Sequence, residues 1–373
     1  MVRKIFTLNF LDAFIAGMTT VFVPLLMQSR GIGLAEIGIA FSIAPLVKLA
    51  ARLGGAFLAD FLGDRMLYIS NAAANLLQAI CYFFATGPIW FAAGKVFDGI
   101  RESLIFSVNR VSVMAAMPQS KHFALSSLLS GRLIYNALGG LAVGVLAQLS
   151  GFDLMLSLIA CLSAYMLLSS LSLRNLHHAG GPLRLSDLSF AGKSNRFYET
   201  ATVLAIGSWT YVAMVYMLMP LYFSSKGFSV AEIGILYSAY FVISGAVMHL
   251  ISHIKISSLA SAAFGGLAFL FAIIGLAVAE KELLMAFFLL MAIGDGFLGV
   301  LWEEINYLAI KDSRKKATEL ALVNTPAYLS VFAATALAGI IASAYGYMPL
   351  FALFAISELA FAAWGFRLSS KGI

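Results

Sequence analysis

Twelve stretches of this chain are apolar over the length that a helix needs to cross about 30 Å of hydrocarbon, and that leaves few structures open to it. In hydrocarbon every backbone polar group must be bonded within the protein, so such stretches fold as helices. They cover residues 5–28, 34–59, 66–86, 89–117, 123–150, 154–173, 197–224, 230–253, 256–279, 283–310, 317–345 and 348–366. Only 11% of the residues are charged against 61% hydrophobic, where soluble proteins carry about a quarter charged. The expected fold class is an all-α membrane protein with twelve transmembrane helices. Arg3 and Lys4 precede the first run as they would in a secretory signal, but that run carries Asp12, extends past twenty residues and lacks a small-residue cleavage site. It is read as the first helix. Cys81 and Cys161 fall inside the third and sixth runs, where thiols act as small apolar groups, so no disulfide or metal framework is expected.

One segment occurs twice. VPLLMQSRGIGLAEIGIAFS at 23–42 returns 196 residues later, at 219–238, as MPLYFSSKGFSVAEIGILYS, with ten of twenty positions identical. The chain therefore reads as a duplicated unit of about half its length. Each copy joins the end of one helix to the start of the next; Ser229 and Glu232 have capping-box spacing, and Gly33 takes the cap position in the first copy. Glu36 and Glu232 are structural on this reading. At an offset of 197, Asp98, Gly99 and Asn109 correspond to Asp295, Gly296 and Asn306.

Fifteen Lys and Arg residues fall on one side of a twelve-helix arrangement and three, Arg30, Lys226 and Lys281, on the other, which places both termini in the cytoplasm. The net charge of +6 thus reflects topology and carries no nucleic-acid footprint. The polar stretch 174–195 is the expected cytoplasmic linker between a first half, 1–173, and a second, 196–373. His177 and His178 within it lack companion ligands and read as solvated.

Thirteen charges lie inside the apolar runs and more than one turn from their ends: Asp12, Asp98, Glu102, Asp295, Glu303, Glu304 and Glu358 against Lys48, Arg52, Lys95, Arg101, Arg110 and Arg132. Each costs about 2.5–3.5 kcal/mol to insert unless partners or water receive it. The first half holds three acids and six bases, the second four acids and no base. Helices three, six and nine carry no charge and twelve carries only Glu358, so these four are expected to face lipid. On the fourth helix Lys95, Asp98, Glu102, Phe106 and Asn109 share a face with Arg101 at its flank. The stripe is either self-neutralising, through pairs at three-residue spacing, or the wall of a cavity for a charged solute, with Asp12 and Arg132 alongside. In the second half Asp295, Trp302 and Asn306 share a face with Glu303 at its edge, and no base is at hand to neutralise them. Asp295 and Glu303, and after them Asp12, are therefore the candidates for exchanging a proton. Asp12 corresponds to Ser208, beside Trp209 and Tyr211; this can be a solute pocket or a polar helix contact. His249 and His253, one turn apart, lack a clear third ligand, so no metal is expected.

Twelve helices, two homologous six-helix halves, a cytoplasmic linker and cytoplasmic termini together resemble the major facilitator superfamily over the whole chain. Locally, AFLADFLGDR at 56–65 resembles the family's GxLADRxGRR through Leu58, Ala59, Asp60, Gly63 and Arg65, but departs from it at Ala56, Phe61 and Asp64. KVFDG at 95–99 is similar to RxxQG with Lys for Arg, and GRLIYNALGG at 131–140 keeps the outer glycines of the antiporter motif GxxxGPxxGG but has Tyr135 and Asn136 where the family has Gly and Pro. The resemblance implies alternating access about a site lined by helices one, four, seven and ten, with Asp60, Gly63 and Arg65 as a cytoplasmic gate. Asp12, Lys95, Asp98, Arg101, Glu102, Arg132, Trp209, Tyr211 and Trp302 would line the cavity. An anionic or zwitterionic group would meet the bases and an apolar part the aromatic rings.

The function expected is secondary active transport, in the form of proton-coupled export of a small organic or amphipathic solute by a monomer in the plasma membrane. An uncoupled facilitator or importer is the alternative, as is a transport-inactive receptor or assembly factor on the same fold. No nucleophile elbow, HExxH or phosphate-cradling loop is present, so neither an enzyme nor a cofactor is expected.

Overall fold

The computed structural model describes residues 2–116, 121–173, 189–209, 212–254, 256–310 and 316–370, with side chains at all of these but 2, 53–64, 107, 109–116, 121–127, 129, 130, 252, 310 and 316–318. The described residues form helices joined by short turns. In order they are α1 (Val2–Ser29), α2 (Leu34–Phe83), α3 (Pro88–Ala116), α4 (Lys121–Leu171), α5 (Asn195–Trp209), a π-helical turn (Val212–Leu218), α6 (Met219–Ser225), α7 (Val230–Ile254), α8 (Ser258–Val278), α9 (Lys281–Ile310), α10 (Lys316–Val323), α11 (Thr325–Tyr345) and α12 (Met348–Ser370). Among the described residues nine stretches are long and apolar enough to cross a membrane.

Two of these helices are each a pair of antiparallel arms. Within α2, Val47 packs where a Cβ on Gly99 would stand, while Asn71 Nδ2 donates to Arg101 O at 3.0 Å. A straight helix would hold Val47 and Asn71 about 36 Å apart, whereas Gly99 and Arg101 are separated by two residues of α3. The chain therefore doubles back between 47 and 71, an interval that contains Gly63. Gly151, at φ 74° and ψ 179°, makes the reversal in α4 explicit. Before it, Tyr135 stacks on Phe10 with ring centroids 4.8 Å apart; after it, Phe152 meets Phe22 at 5.2 Å and Ser172 Oγ accepts from Lys4 Nζ at 3.0 Å. One arm thus runs along α1 and the other returns along it.

The repeated segment builds the same turn twice. Ile32 N donates to Met27 O and Gly31 N to Gln28 O; Phe228 N donates to Phe223 O and Gly227 N to Ser224 O. Both are Schellman closures, and the glycines sit at φ 74° and 80°, where a Cβ would be strained. The next helix begins with a reciprocal cap at Ser229 and Glu232: Ser229 N donates to Glu232 Oε2 at 2.6 Å, and Glu232 N to Ser229 Oγ at 3.2 Å. In the first copy Gly33 N donates to Glu36 Oε2 at 3.1 Å.

The chain forms two compact units, one of residues 1–32, 39–185 and 229–238, the other of 33–38, 186–228 and 239–373. The AEIGI run explains why short pieces are exchanged. In the second unit Gly38 lies against α11, where a Cβ would fall 2.7 Å from Gly339 Cα; in the first, Gly234 lies against α4, where a Cβ would fall 2.6 Å from Gly144 Cα. Only hydrogen in place of a side chain lets these backbones approach so closely.

Candidate functional site

In the first unit the intramembrane charges form one bonded network centred on α1 and α3. Lys95 Nζ lies 3.0 Å from Asp98 Oδ2 and Arg101 Nη2 2.8 Å from Asp98 Oδ1, both pairs at three-residue spacing on α3. Arg101 also reaches Asp12 Oδ1 on α1 at 3.1 Å, while Arg132, on the first arm of α4, bonds Asp12 Oδ2 at 3.0 Å and Asn9 O at 3.1 Å. Lys48 pairs with Glu102. Lys95 Nζ stands 3.8 Å from the centroid of the Phe41 ring, and the Arg52 guanidinium 3.9 Å from that of Phe106. Asp12 is 0% and Arg101 2% exposed, so these charges are screened by each other and not by water. The pairs expected at three-residue spacing along the α3 stripe, Lys95 with Asp98 and Asp98 with Arg101, are formed.

Counting charges overlooked a stripe on the second arm of α2. Tyr68, Asn71, Asn75, Gln78 and Tyr82, at alternating spacings of three and four, are all buried. Asn71 and Asn75 donate to Asp12 Oδ1 at 3.2 and 3.3 Å, and Asn9 donates to Tyr68 at 2.9 Å. The third run was expected to face lipid because it lacks charge; Leu77, Ile80 and Phe83 are indeed exposed, but its amide face turns inward. The spacing of the amides was the signal that could have found it.

The second unit is built differently. Ser244 on α7 donates to Asp295 Oδ2 at 2.6 Å. Glu304 accepts from Ser258 at 2.9 Å and from Ser369, beside the N-terminus of α8. Glu303, at the edge of the Asp295 face, is exposed. Trp302 packs on Phe361 of α12 at 5.7 Å, and Ser208, at the end of α5 beside the half-buried Trp209, donates to Leu204 O at 2.9 Å. On α12 Glu358 is 3% exposed and Oε1 has no hydrogen-bond partner among the described residues, while Ile356 and Trp364 of the same helix are exposed. Of the gate residues, Arg65 donates to Leu171 O at 3.0 Å, at the C-terminal end of α4. The side chains at Asp60, Gly63, Asn109 and Arg110, all of Tyr211, and linker residues 174–188 with His177 and His178 lie outside the described residues. His253 Nδ1 lies 2.9 Å from His249 O.

A family model of the Major Facilitator Superfamily matches residues 5–310. The chain belongs to this superfamily. As a member of it the protein is a non-enzymatic membrane transporter. A comparison with curated proteins finds no sequence match. Among solved structures the fold is similar to the nucleoside transporter NupG (TM-score 0.79, 11% identity, 98% of each chain covered) and to a D-xylose–proton symporter (0.76, 11% identity, 100% of this chain and 99% of that one). It is also similar to a bacterial homologue of the human lysosomal transporter Spinster (0.71, 16% identity, 100% and 96% covered). At such identities the likeness is one of fold. In this superfamily member the glycines of the fifth helix serve close packing: a Cβ on Gly139 would fall 2.1 Å from Phe14 O, and the Asn136 carbonyl fills the space beside Gly17.

Proposed function

We propose that this superfamily member is a secondary active transporter that moves a small organic or amphipathic solute by alternating access, coupled to protons and directed outward. One observation supports the coupling above all. The bases Lys95, Arg101 and Arg132 are each paired with a carboxylate in the first unit, whereas Asp295 and Glu358 lie in a unit whose intramembrane segments contain no Lys or Arg. A buried carboxyl such as that of Glu358, whose Oε1 has no hydrogen-bond partner among the described residues, is where a proton can bind and leave at a free-energy cost that a gradient can meet. The halves of the transporter are taken as 1–173 and 196–373, joined by the linker 174–195. The excess of Lys and Arg on one side supports cytoplasmic termini in the plasma membrane, and the protein is proposed to act as a monomer.

The solute is inferred to be neutral or zwitterionic, because an anion would compete with Asp12, Asp98 and Glu102 for bases they already hold. Trp209, Tyr211 and Trp302 are proposed to receive its apolar part, and Asp60, Gly63 and Arg65 to form the gate. A second reading, facilitated diffusion or import, is favoured by the fifth helix: Tyr135 stacks on Phe10 and Asn136 packs on Gly17, which fills the positions of the antiporter pattern with helix contacts.

The test uses proteoliposomes loaded with a solute found to stabilise the purified protein. Outward-directed transport should accelerate under a pH gradient, and Asp295→Asn should abolish that acceleration while solute exchange without a gradient persists. A rate indifferent to the gradient in the wild type would establish the second reading instead.

A further inference from the structure

A side chain that carries hydrogen-bonding groups into a membrane span must find partners for them there, since the lipid offers none. Along the second arm of α2 the donors are matched and the acceptors are not. Asn71, Asn75 and Gln78 stand at spacings of four and three, on one face and over about 10 Å of helix. With Asn9 of α1 they are at most 1% exposed. Their amide nitrogens are all engaged. Asn71 Nδ2 donates to Asp12 Oδ1 and Arg101 O, and Asn75 Nδ2 to Asp12 Oδ1 and, at 3.1 Å, to Asn71 O. Asn9 Nδ2 donates to Tyr68 and, at 2.9 Å, to Ile5 O, and Gln78 Nε2 to the Tyr82 hydroxyl at 3.4 Å.

The amide oxygens are a different matter. Asn9 Oδ1, Asn71 Oδ1, Asn75 Oδ1 and Gln78 Oε1 are buried without a hydrogen-bond partner among the described residues. Arg101 Nε is a buried donor in the same position, on a guanidinium that shares Asp12 Oδ1 with Asn71 and Asn75. Turning the three asparagines about would set oxygen against a carboxylate or a backbone carbonyl, so their orientation is fixed by what they donate to; Gln78 turned about would leave its nitrogen without an acceptor instead. Four acceptors and one donor thus converge on a layer between α1, the second arm of α2 and α3, and each costs its full desolvation unless something meets it.

The charges nearby narrow what that can be. Asp12, Asp98 and Glu102 face Lys48, Lys95, Arg101 and Arg132, three acids to four bases, so a metal cation would be repelled. A solute would have to part helices whose polar groups are shut from the surface. Water is neutral, both donates and accepts, and fills only about 30 Å³.

We propose that this amide face, with Asn9 and Arg101, is a binding site for a short file of ordered waters that donate to the four amide oxygens and accept from Arg101 Nε. Asn71 and Asn75 then hold Asp12 with one end of the amide and a water with the other. Bonds made through water are exchanged without breaking a direct contact, so the three helices are joined by a layer that yields where direct amide pairs would hold. The site is the same whatever solute the protein carries.

Hydroxyl-radical footprinting by X-ray radiolysis, on the whole protein in lipid nanodiscs, tests the site, because radicals formed from a bound water label the side chains beside it however deeply they are buried. Tyr68 and Tyr82, at the two ends of the amide face and at most 1% exposed, should take up label. Phe22, 0% exposed and packed on Phe152, should not, each rate being taken relative to the unfolded chain. Gln78→Met keeps the length of the side chain and removes its polar atoms, so Tyr82 should lose most of its label while Tyr68 keeps it. Label at Tyr68 and Tyr82 no faster than at Phe22 overturns the site, whether or not the variant folds, and so does a Tyr82 label that Gln78→Met leaves unchanged. Two other outcomes name a different occupant and overturn the waters: a melting temperature raised by sodium chloride over choline chloride in the wild type but not in Gln78→Met, which would mean a cation, and label abolished by a stabilising solute, which would mean that the solute supplies the donors.

Discussion

Asp12 receives two guanidinium groups and two amides with none of its surface exposed, so the effect of removing its charge depends on what its neighbours do next. Asp12→Leu leaves Arg101 and Arg132 facing each other without the carboxylate between them, and such a loss costs about 3–5 kcal/mol. Chemical unfolding of the purified protein should show that loss, and a double variant with Arg101→Met should recover much of it, since the orphaned charge goes too; equal or greater loss in the double variant would mean that Asp12 acts by packing. How much of this network could be read from the chain depends on distance along it. Lys95, Asp98 and Arg101 are one helical turn apart, so their pairing follows from spacing. Asn71 and Asn75 meet Asp12 across 59 and 63 residues, and they are amides, which neither a charge census nor a hydropathy window registers. Glu358 was visible as an exception on an otherwise charge-free helix, but nothing in a linear chain says that its neighbours are apolar.

At the scale of helices the repeated segment explains two turns and two seams. The ends of helices are local, so the Ser229–Glu232 cap and the glycine closures at 31 and 227 were legible from residue type and spacing alone. The use of Gly38 and Gly234 was not, because their partners, Gly339 and Gly144, are remote in sequence and the contact is between backbones. Gly38→Val and Gly234→Val should each lower the melting temperature and slow transport to similar extents, with about 1–3 kcal/mol of overpacking at each seam. Ile39→Val, at a residue 53% exposed, serves as the control and should change neither. A strong effect at one glycine and none at the other would show that the copies have diverged in use. The reversal at Gly151 illustrates the limit of pattern reading: the break between the fifth and sixth runs was placed correctly, but the residue that makes it was not singled out, since positive φ is a property of the folded chain.

For the molecule as a whole, twelve apolar runs and a duplicated segment were enough to reach the superfamily, because the bilayer admits so few folds and duplication constrains the rest. Solute charge was not, because a surplus of bases in sequence says nothing of how many acids already hold them. A thermal-shift screen of the purified protein should find its strongest stabilisers among neutral or zwitterionic solutes, since a ligand stabilises the state it binds. If organic anions stabilise most and lose their effect in Arg132→Gln, the ion pairs open to admit them and the solute class must be revised.

Asp98 and Asp295 stand at equivalent places in the two copies, yet the first has Lys95 and Arg101 one turn to either side and the second has Ala292 and Leu298. The two copies thus share a backbone plan while their side chains divide the work, and Ala292→Lys with Leu298→Arg would give the second the side-chain set of the first.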